Sequence, residues 1–410
     1  MDTRLIAIAS PIFFVLIFAE RFWLRRRTEP VYRLHDSLAD LSCGVGEQVC
    51  QVFTFVLELA LYMFVWTRFR VHTFSIHSVG AWVLLILLLD VAYYFFHRTS
   101  HRVNFFWAVH SVHHQSEEFN FAVALRQGWI EPLLIAPFHI PIALLGFPPE
   151  MFFIGFTAHT LWQFWPHTRG IGKLAIDGLL NSPANHRCHH AINPEYIDKN
   201  YSGFLIIWDR IFGTWAREQK EPSYGTVKPL GSYNPLWANV SYWIEMGRLI
   251  RACPHFADKL SVPFRPPEWR PKELGGPVTI PEVSRDTQRR YHVDATRAVN
   301  VYAVGVFAFV VLLLPVLTQP LPWLHPTWLT RVAVGALFIA SLVSTAGLIE
   351  ARPWARALEW LRLLALPAVV WLAAPASYAL RAVAGAVALS LVQAVWLLMI
   401  SRGSRAVPAA

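Results

Sequence analysis

Charge is scarce in this chain: 15% of its 410 residues are Asp, Glu, Lys or Arg, and 55% are hydrophobic. A soluble domain carries about 25% charged and 45–50% apolar residues. The balance therefore argues against a water-soluble globular protein and for an integral membrane one. Cysteine is scarcer still. Cys43, Cys50, Cys188 and Cys253 are scattered without CxxC spacing, which supports neither a zinc knuckle nor a disulfide framework. The net charge of +9 arises without a basic run in a polar segment. No nucleic-acid partner is expected, and the cations read as Lys and Arg flanking membrane spans. A convincing cleavable signal is also missing. The apolar run 5–22 contains Glu20 and is followed, not preceded, by the charges RFWLRRR, so a retained anchor is expected.

Long hydrophobic runs, by contrast, are plentiful. A span needs about 20 mainly apolar residues to cross about 30 Å of hydrocarbon. Candidates are 4–24, 46–66, 78–96, 298–317, 328–349, 360–374 and 378–400. Segment 129–165 is apolar too, but Pro132, Pro137, Pro141, Pro148 and Pro149 interrupt it. It is predicted as a helical hairpin that dips into or crosses the bilayer and turns near GFPP. Arg25, Arg26 and Arg27 after the first span, with Arg352, Arg356, Arg362, Arg402 and Arg405 around the last ones, place His97 and the polar middle on the cytoplasmic face. The expected fold is all-α: a polytopic membrane protein whose cytoplasmic helical cap carries a histidine-ligated dimetal site. Its expected divisions are an anchor (1–34), a catalytic domain (35–216), a cap and linker (217–296) and a four-helix membrane module (297–402). The Ala-, Arg- and Trp-rich composition suggests the inner membrane of a bacterium.

Histidine is concentrated in two stretches. Residues 97–114, HRTSHRVNFFWAVHSVHH, hold His97, His101, His110, His113 and His114, and NHRCHH adds His186, His189 and His190. The spacings are HxxxH, HxxHH and HxxHH. Residues three and four apart share a helix face, so each box is expected to aim two or three imidazoles at one point. Neutral imidazole is the commonest protein ligand for transition metals, and eight exceed what one ion needs, so two metals are expected. His167, in QFWPHT, is read as a ninth ligand, and His159 as a core residue. His35, His72, His77, His139, His255, His292 and His325 are isolated and read as structural. Asp90, seven residues before His97, and Glu117, Asn120, Asn185 and Asn200 beside the boxes are candidates to orient the ligands. Imidazole suits Fe, Zn, Cu and Ni alike. Iron with dioxygen acting on a lipid chain, a zinc lipid hydrolase and a membrane metal carrier all remain open on spacing alone.

HRTSH, WAVHSVHH and NHRCHH together resemble the fatty acid hydroxylase/sterol desaturase superfamily of membrane di-iron enzymes. The stretches HQSEEFNFAVALRQG, LWQFWPHT and LNSPANHRCHHAINPEYIDKNYSGFLIIWDRIFGTW are similar to its alkylglycerol monooxygenase branch, over roughly residues 35–270. The resemblance implies two iron ions, O2, a membrane lipid substrate and an electron donor or reductase. In that branch the ether-linked carbon of an alkylglycerol is hydroxylated with tetrahydrobiopterin as reductant, and a sterol or carotenoid desaturase or hydroxylase is the nearest relative activity. The animal pattern has an acid after the second histidine of the first box, associated with the pterin. This chain has Arg102 there, which leaves tetrahydrobiopterin or another donor open. Arg98, Arg102, Arg126 and Lys199 are possible headgroup or donor contacts. The hairpin and the third span are expected to form a tunnel for the lipid chain.

Overall fold

A computed structural model describes residues 3–27, 29–319 and 327–401, and its regular elements among them are helices. Two isolated bridges, Leu180 with Leu205 and Ala191 with Tyr224, are the β pairing among the described residues. His325, Arg402 and Arg405 lie outside them. The helices run in order: α1 (Thr3–Leu24), α2 (Leu34–Phe69), α3 (Val79–Arg102), α4 (Asn104–His114), α5 (Glu131–Ile135), α6 (Ile140–Leu145), α7 (Pro149–Trp162), α8 (Pro183–His189), α9 (Ile207–Ile211), α10 (Pro235–Ala252), α11 (Phe256–Ser261), α12 (Arg297–Thr318), α13 (Trp328–Ile349), α14 (Pro353–Ala373) and α15 (Ala379–Ser401).

Among the described residues α2, α3, α12, α13 and α15 are long and apolar enough to cross a membrane. At 36 residues, α2 exceeds a span. Its first turns, with Asp36 and Asp40 buried in them, lie ahead of the expected start at 46. Those polar residues hid the helix in the sequence. They are tolerated because the protein pairs them: Asp36 accepts from Arg33 at 2.8 Å and Asp40 from Arg126 at 3.1 Å. The proline-rich stretch folds into the expected hairpin. α5 and α6 form one arm over Glu131–Leu145 and α7 the other. Each arm is about 21–22 Å long at 1.5 Å per residue, short of the bilayer core. The turn falls at Gly146, whose φ of +102° suits glycine and whose added Cβ would sit 1.8 Å from the His72 carbonyl oxygen. The second arm lies against α3, where Gly155 lets Leu85 and Leu89 approach.

α14 differs from the expected span 360–374. It begins at Pro353 and takes Glu359 and Arg362 inside the protein, both with side chains fully buried. Arg362 is therefore not a loop charge marking the sidedness of the chain. Its Nε donates to Glu359 at 3.0 Å, and Tyr302 of α12, Ser344 of α13 and Gln393 of α15 complete the network. One ion pair thus ties all four C-terminal helices. These helices also share a core with α2, where Val45 and Val49 pack with Phe307, Val310, Phe338 and Leu342.

Candidate metal centre

α3 continues without a break past its apolar part and carries His97 and His101 on its final turns. Val103 is extended (φ −129°, ψ 118°) and turns the chain so that α4 folds back across the end of α3. α8 starts at Ser182, which accepts from the Asn185 N–H, with Pro183 at the first helical position. His167 lies in the loop after α7. These four segments bring all nine candidate histidines together, all of them buried.

They form two groups. His97, His101, His110, His114 and His189 present ligand atoms within 4.8 Å of one another, and so do His113, His167, His186 and His190. HxxxH sends both its histidines to one group, and each HxxHH box sends two of its three. These are its first and last, while the middle one goes to the other group. Adjacent helical residues diverge by about 100°, so His113 and His114 cannot share a target, and neither can His189 and His190.

The hydrogen bonds set the tautomers. His97 Nδ1 donates to the Tyr201 carbonyl (2.7 Å), His113 Nδ1 to that of Arg126 (2.8 Å), His167 Nδ1 to that of Gln163 (2.9 Å) and His189 Nδ1 to that of Lys199 (2.9 Å). His110 Nδ1 donates to Glu131 Oε1 (3.0 Å). In the neutral ring each Nε2 is then a bare lone pair. Yet His97 Nε2 lies 3.0 Å from His110 Nε2, and His113 Nε2 lies 3.2 Å from His167 Nε2. Protonation is a poor remedy. Burial, reinforced by neighbouring imidazoles, pushes His113 down to about 4 and holds His114, His167, His186 and His190 well below the usual histidine range. Burial also takes His189 down to about 3. Lone pairs converging on two points in an environment hostile to imidazolium fit a bound transition-metal cation at each.

The comparisons with known proteins agree with this donor set. The fatty acid hydroxylase family profile matches residues 82–214, which include every clustered histidine. An alkylglycerol monooxygenase from Xenopus tropicalis is 33% identical over 362 residues, covering 87% of this chain and 80% of the relative, and the Homo sapiens alkylglycerol monooxygenase gives the same figures. The chain belongs to the fatty acid hydroxylase superfamily, in its alkylglycerol monooxygenase branch. A Delta(7)-sterol 5(6)-desaturase from Aspergillus fumigatus, 28% identical, covers 36% of the chain and 43% of its own length. No solved structure matches.

In this fatty acid hydroxylase fold the residues expected to orient the ligands act at one remove. None of the five bonds an imidazole of the two groups; backbone carbonyls serve four of the nine outer nitrogens and Glu131 a fifth. Asp90 accepts from the Phe204 and Leu205 N–H groups, from Trp208 Nε1 and from His159 Nε2 at 2.8–3.0 Å. Glu117 receives the Tyr291 N–H at 2.6 Å, and Asn120 donates to the Val31 carbonyl at 2.7 Å. Asn185 donates to the carbonyls of Asp177 and Leu180, while Asn200 donates to those of Asn185 and Ala216. Asn200 sits at φ +58° between Lys199 and Tyr201, whose carbonyls hold His189 and His97. It shapes the backbone that orients the rings. Arg102 pairs with Asp198 on that same loop and with Glu268 at 3.4 Å.

Sequence reasoning missed two residues. Glu131 is a carboxylate bonded directly to a clustered histidine, and its other oxygen is buried without a partner among the described residues. Asp209 accepts from the Tyr201 and Ser202 N–H groups at 2.8 Å and from the Ser202 and Thr214 hydroxyls at 2.5 and 2.6 Å. It was visible only as part of WDRIFGTW. Aromatic rings close the centre. Trp107 stands 5.1 Å from His101, and Phe119 stacks on His167 at 5.6 Å and on Tyr224 at 5.0 Å.

The expected tunnel between hairpin and third span takes a different form. An apolar groove of about 400 Å³ does separate them, with Leu88, Val91, Ala92 and Phe95 facing Pro137 and Ile142. Those α3 residues lie about 100–160° around the helix from the mean direction of His97 and His101. The groove runs along the outer side of α3 and not into the centre.

Proposed function

We propose that this chain is an integral membrane, oxygen-dependent lipid monooxygenase whose centre is two iron ions. One would be held by His97, His101, His110, His114 and His189, the other by His113, His167, His186 and His190. The observation that carries this is the convergence of bare Nε2 lone pairs in two buried groups, joined to the match with alkylglycerol monooxygenases over most of the chain. The ions would supply oxygen activation strong enough for an unactivated C–H bond. The protein's part is to lock the ring tautomers through the carbonyls of residues 126, 163, 199 and 201, and to keep water from the centre with Trp107, Phe119 and Tyr224.

The substrate we favour is an ether lipid of the alkylglycerol class, hydroxylated at the ether-linked carbon, with a reduced pterin as the first electron donor to try. Arg25, Arg26 and Arg27 support a cytoplasmic centre in a cell membrane, bacterial by composition. Residues 1–34, 35–216, 217–296 and 297–402 would serve as anchor, catalytic domain, cap and C-terminal module. The sterol desaturase relative supports a second reading, desaturation or hydroxylation of a sterol-like lipid. Purified protein loaded with ferrous iron is to be given O2, reductant and either lipid. Aldehyde release from the alkylglycerol supports the first reading, and a new double bond or hydroxyl in the sterol supports the second. His113→Ala should abolish turnover. Full activity in that variant, or product formation without oxygen, would overturn the assignment.

A further inference from the structure

α11 and the turn after it carry three large apolar side chains that are mostly exposed. Phe256 is 73% exposed, Leu260 59% and Phe264 75%. They recur every four residues. The opposite side of the segment is already satisfied, since Val262 and Cys253 are buried with Met246 and Trp269 in a core of their own. Apolar side chains left over after a segment has packed mark a contact surface.

The position of the segment names the contact. Asn104, two residues past the end of the α3 span, receives a carbonyl on each donor: its N–H binds Arg265 O and its Nδ2 binds Val262 O, both at 2.9 Å. Residues 262–265 are thereby fixed beside the end of α3, the helix read as a span. Phe95 near the end of α3 and Phe105 at the start of α4 are 43% and 39% exposed, and they extend the apolar surface from the span towards the segment. The flanking charge is predominantly positive. Residues 248–272 hold six cations, Arg248, Arg251, Lys259, Arg265, Arg270 and Lys272, against the acids Asp258 and Glu268. Apolar rings among Lys and Arg at the edge of a span are the composition of an interfacial membrane contact.

We propose that residues 256–264 form a foot by which the cap rests on the membrane. Phe256, Leu260 and Phe264 enter the boundary between headgroups and acyl chains, and the surrounding cations meet anionic headgroups. The foot holds the lipid surface at the height of His97 and His101. It depends on α3 being a span and not on the identity of the metal, so it stands or falls separately from the proposed activity.

The test places a spin label at Phe256→Cys, Leu260→Cys or Phe264→Cys, one at a time. The full chain is reconstituted in bilayer discs of phosphatidylcholine and phosphatidylglycerol. Leu87→Cys on the exposed side of α3 is the lipid control, and Glu282→Cys on the exposed loop the water control. Label without an added cysteine corrects for the part-buried Cys50. Collision with oxygen relative to an aqueous nickel chelate should be several-fold higher at the three positions than at residue 282, and should approach that at residue 87. Nickel access equal to that at residue 282 would overturn the proposal. So would protection from both reagents, which would mean a second protein surface, such as another copy of this chain, covers the segment.

Discussion

Glu131 and Asp209 are the acids on which the centre depends most directly, and they act in different ways. Glu131 holds His110 itself, so Glu131→Ala frees the outer nitrogen of one ligand in the five-histidine group. Losing such a partner lowers metal affinity by about 10–100-fold, which metal analysis after graded chelator dialysis would read as loss from one of two sites. Asp209 holds the backbone that holds His97. Asp209→Ala strands two buried N–H groups and two hydroxyls at a cost of about 3 kcal/mol or more, seen as a lower midpoint of thermal unfolding in detergent even without metal. The eight box histidines were legible in the sequence because boxes at helical spacing have few other uses, while His167 in QFWPHT had no such spacing to mark it. The groups that orient them were not. A backbone carbonyl is the same in every residue type, and Tyr201, Lys199, Gln163 and Arg126 hold the ring nitrogens through that oxygen. Glu131 lay hidden in an apolar, proline-broken stretch that advertised membrane and not chemistry.

At the scale of elements, periodicity and proline placed most of the helices, including a turn at Gly146 and a third span that runs on to His101. They failed where polar residues sit inside a helix. The first turns of α2 read as loop because Asp36 and Asp40 look solvated, and the start of α14 did so because the stretch before Glu359 carries Arg352 and Arg356. Asp36 and Glu359 each have an arginine three residues away, but Arg126 beside Asp40 and Tyr302, Ser344 and Gln393 around the α14 pair come from distant segments, and local sequence carries no sign of them. The α14 pair gives a sharp expectation. Glu359→Leu alone leaves a buried guanidinium uncompensated and should cost about 3–5 kcal/mol. Glu359→Leu combined with Arg362→Met should recover much of that loss. Thermal unfolding of the single and double variants in detergent decides between a clamp and two independent contributions; equal loss in both would contradict it.

For the whole molecule, the buried imidazoles couple stability to pH. The His113 and His189 rings titrate at about 4 and about 3 when folded, and near 6.5 in an unfolded chain. Below pH 6.5 the unfolded chain takes up protons that the folded one refuses. The stability of the metal-free protein is therefore complete above about pH 6.5 and is lost as pH falls towards 4 and then 3. At pH 5 each of the two costs about 2 kcal/mol. Chelator-treated protein should unfold at a distinctly lower temperature at pH 5 than at pH 7.5, and an unchanged midpoint would contradict the burial argument. The division of the histidine boxes carries a further consequence. His110 and His114 serve one group while their neighbour His113 serves the other, and α8 repeats the split with His189 against His186 and His190. Neither group can be assembled without docking α4 against α8, and that docking assembles most of its twin. The first ion would bear the ordering entropy of both positions and the second would bind a site already made. Loading should thus be cooperative, with native mass spectra of a half-titrated sample dominated by chains holding no ion or two, and few holding one.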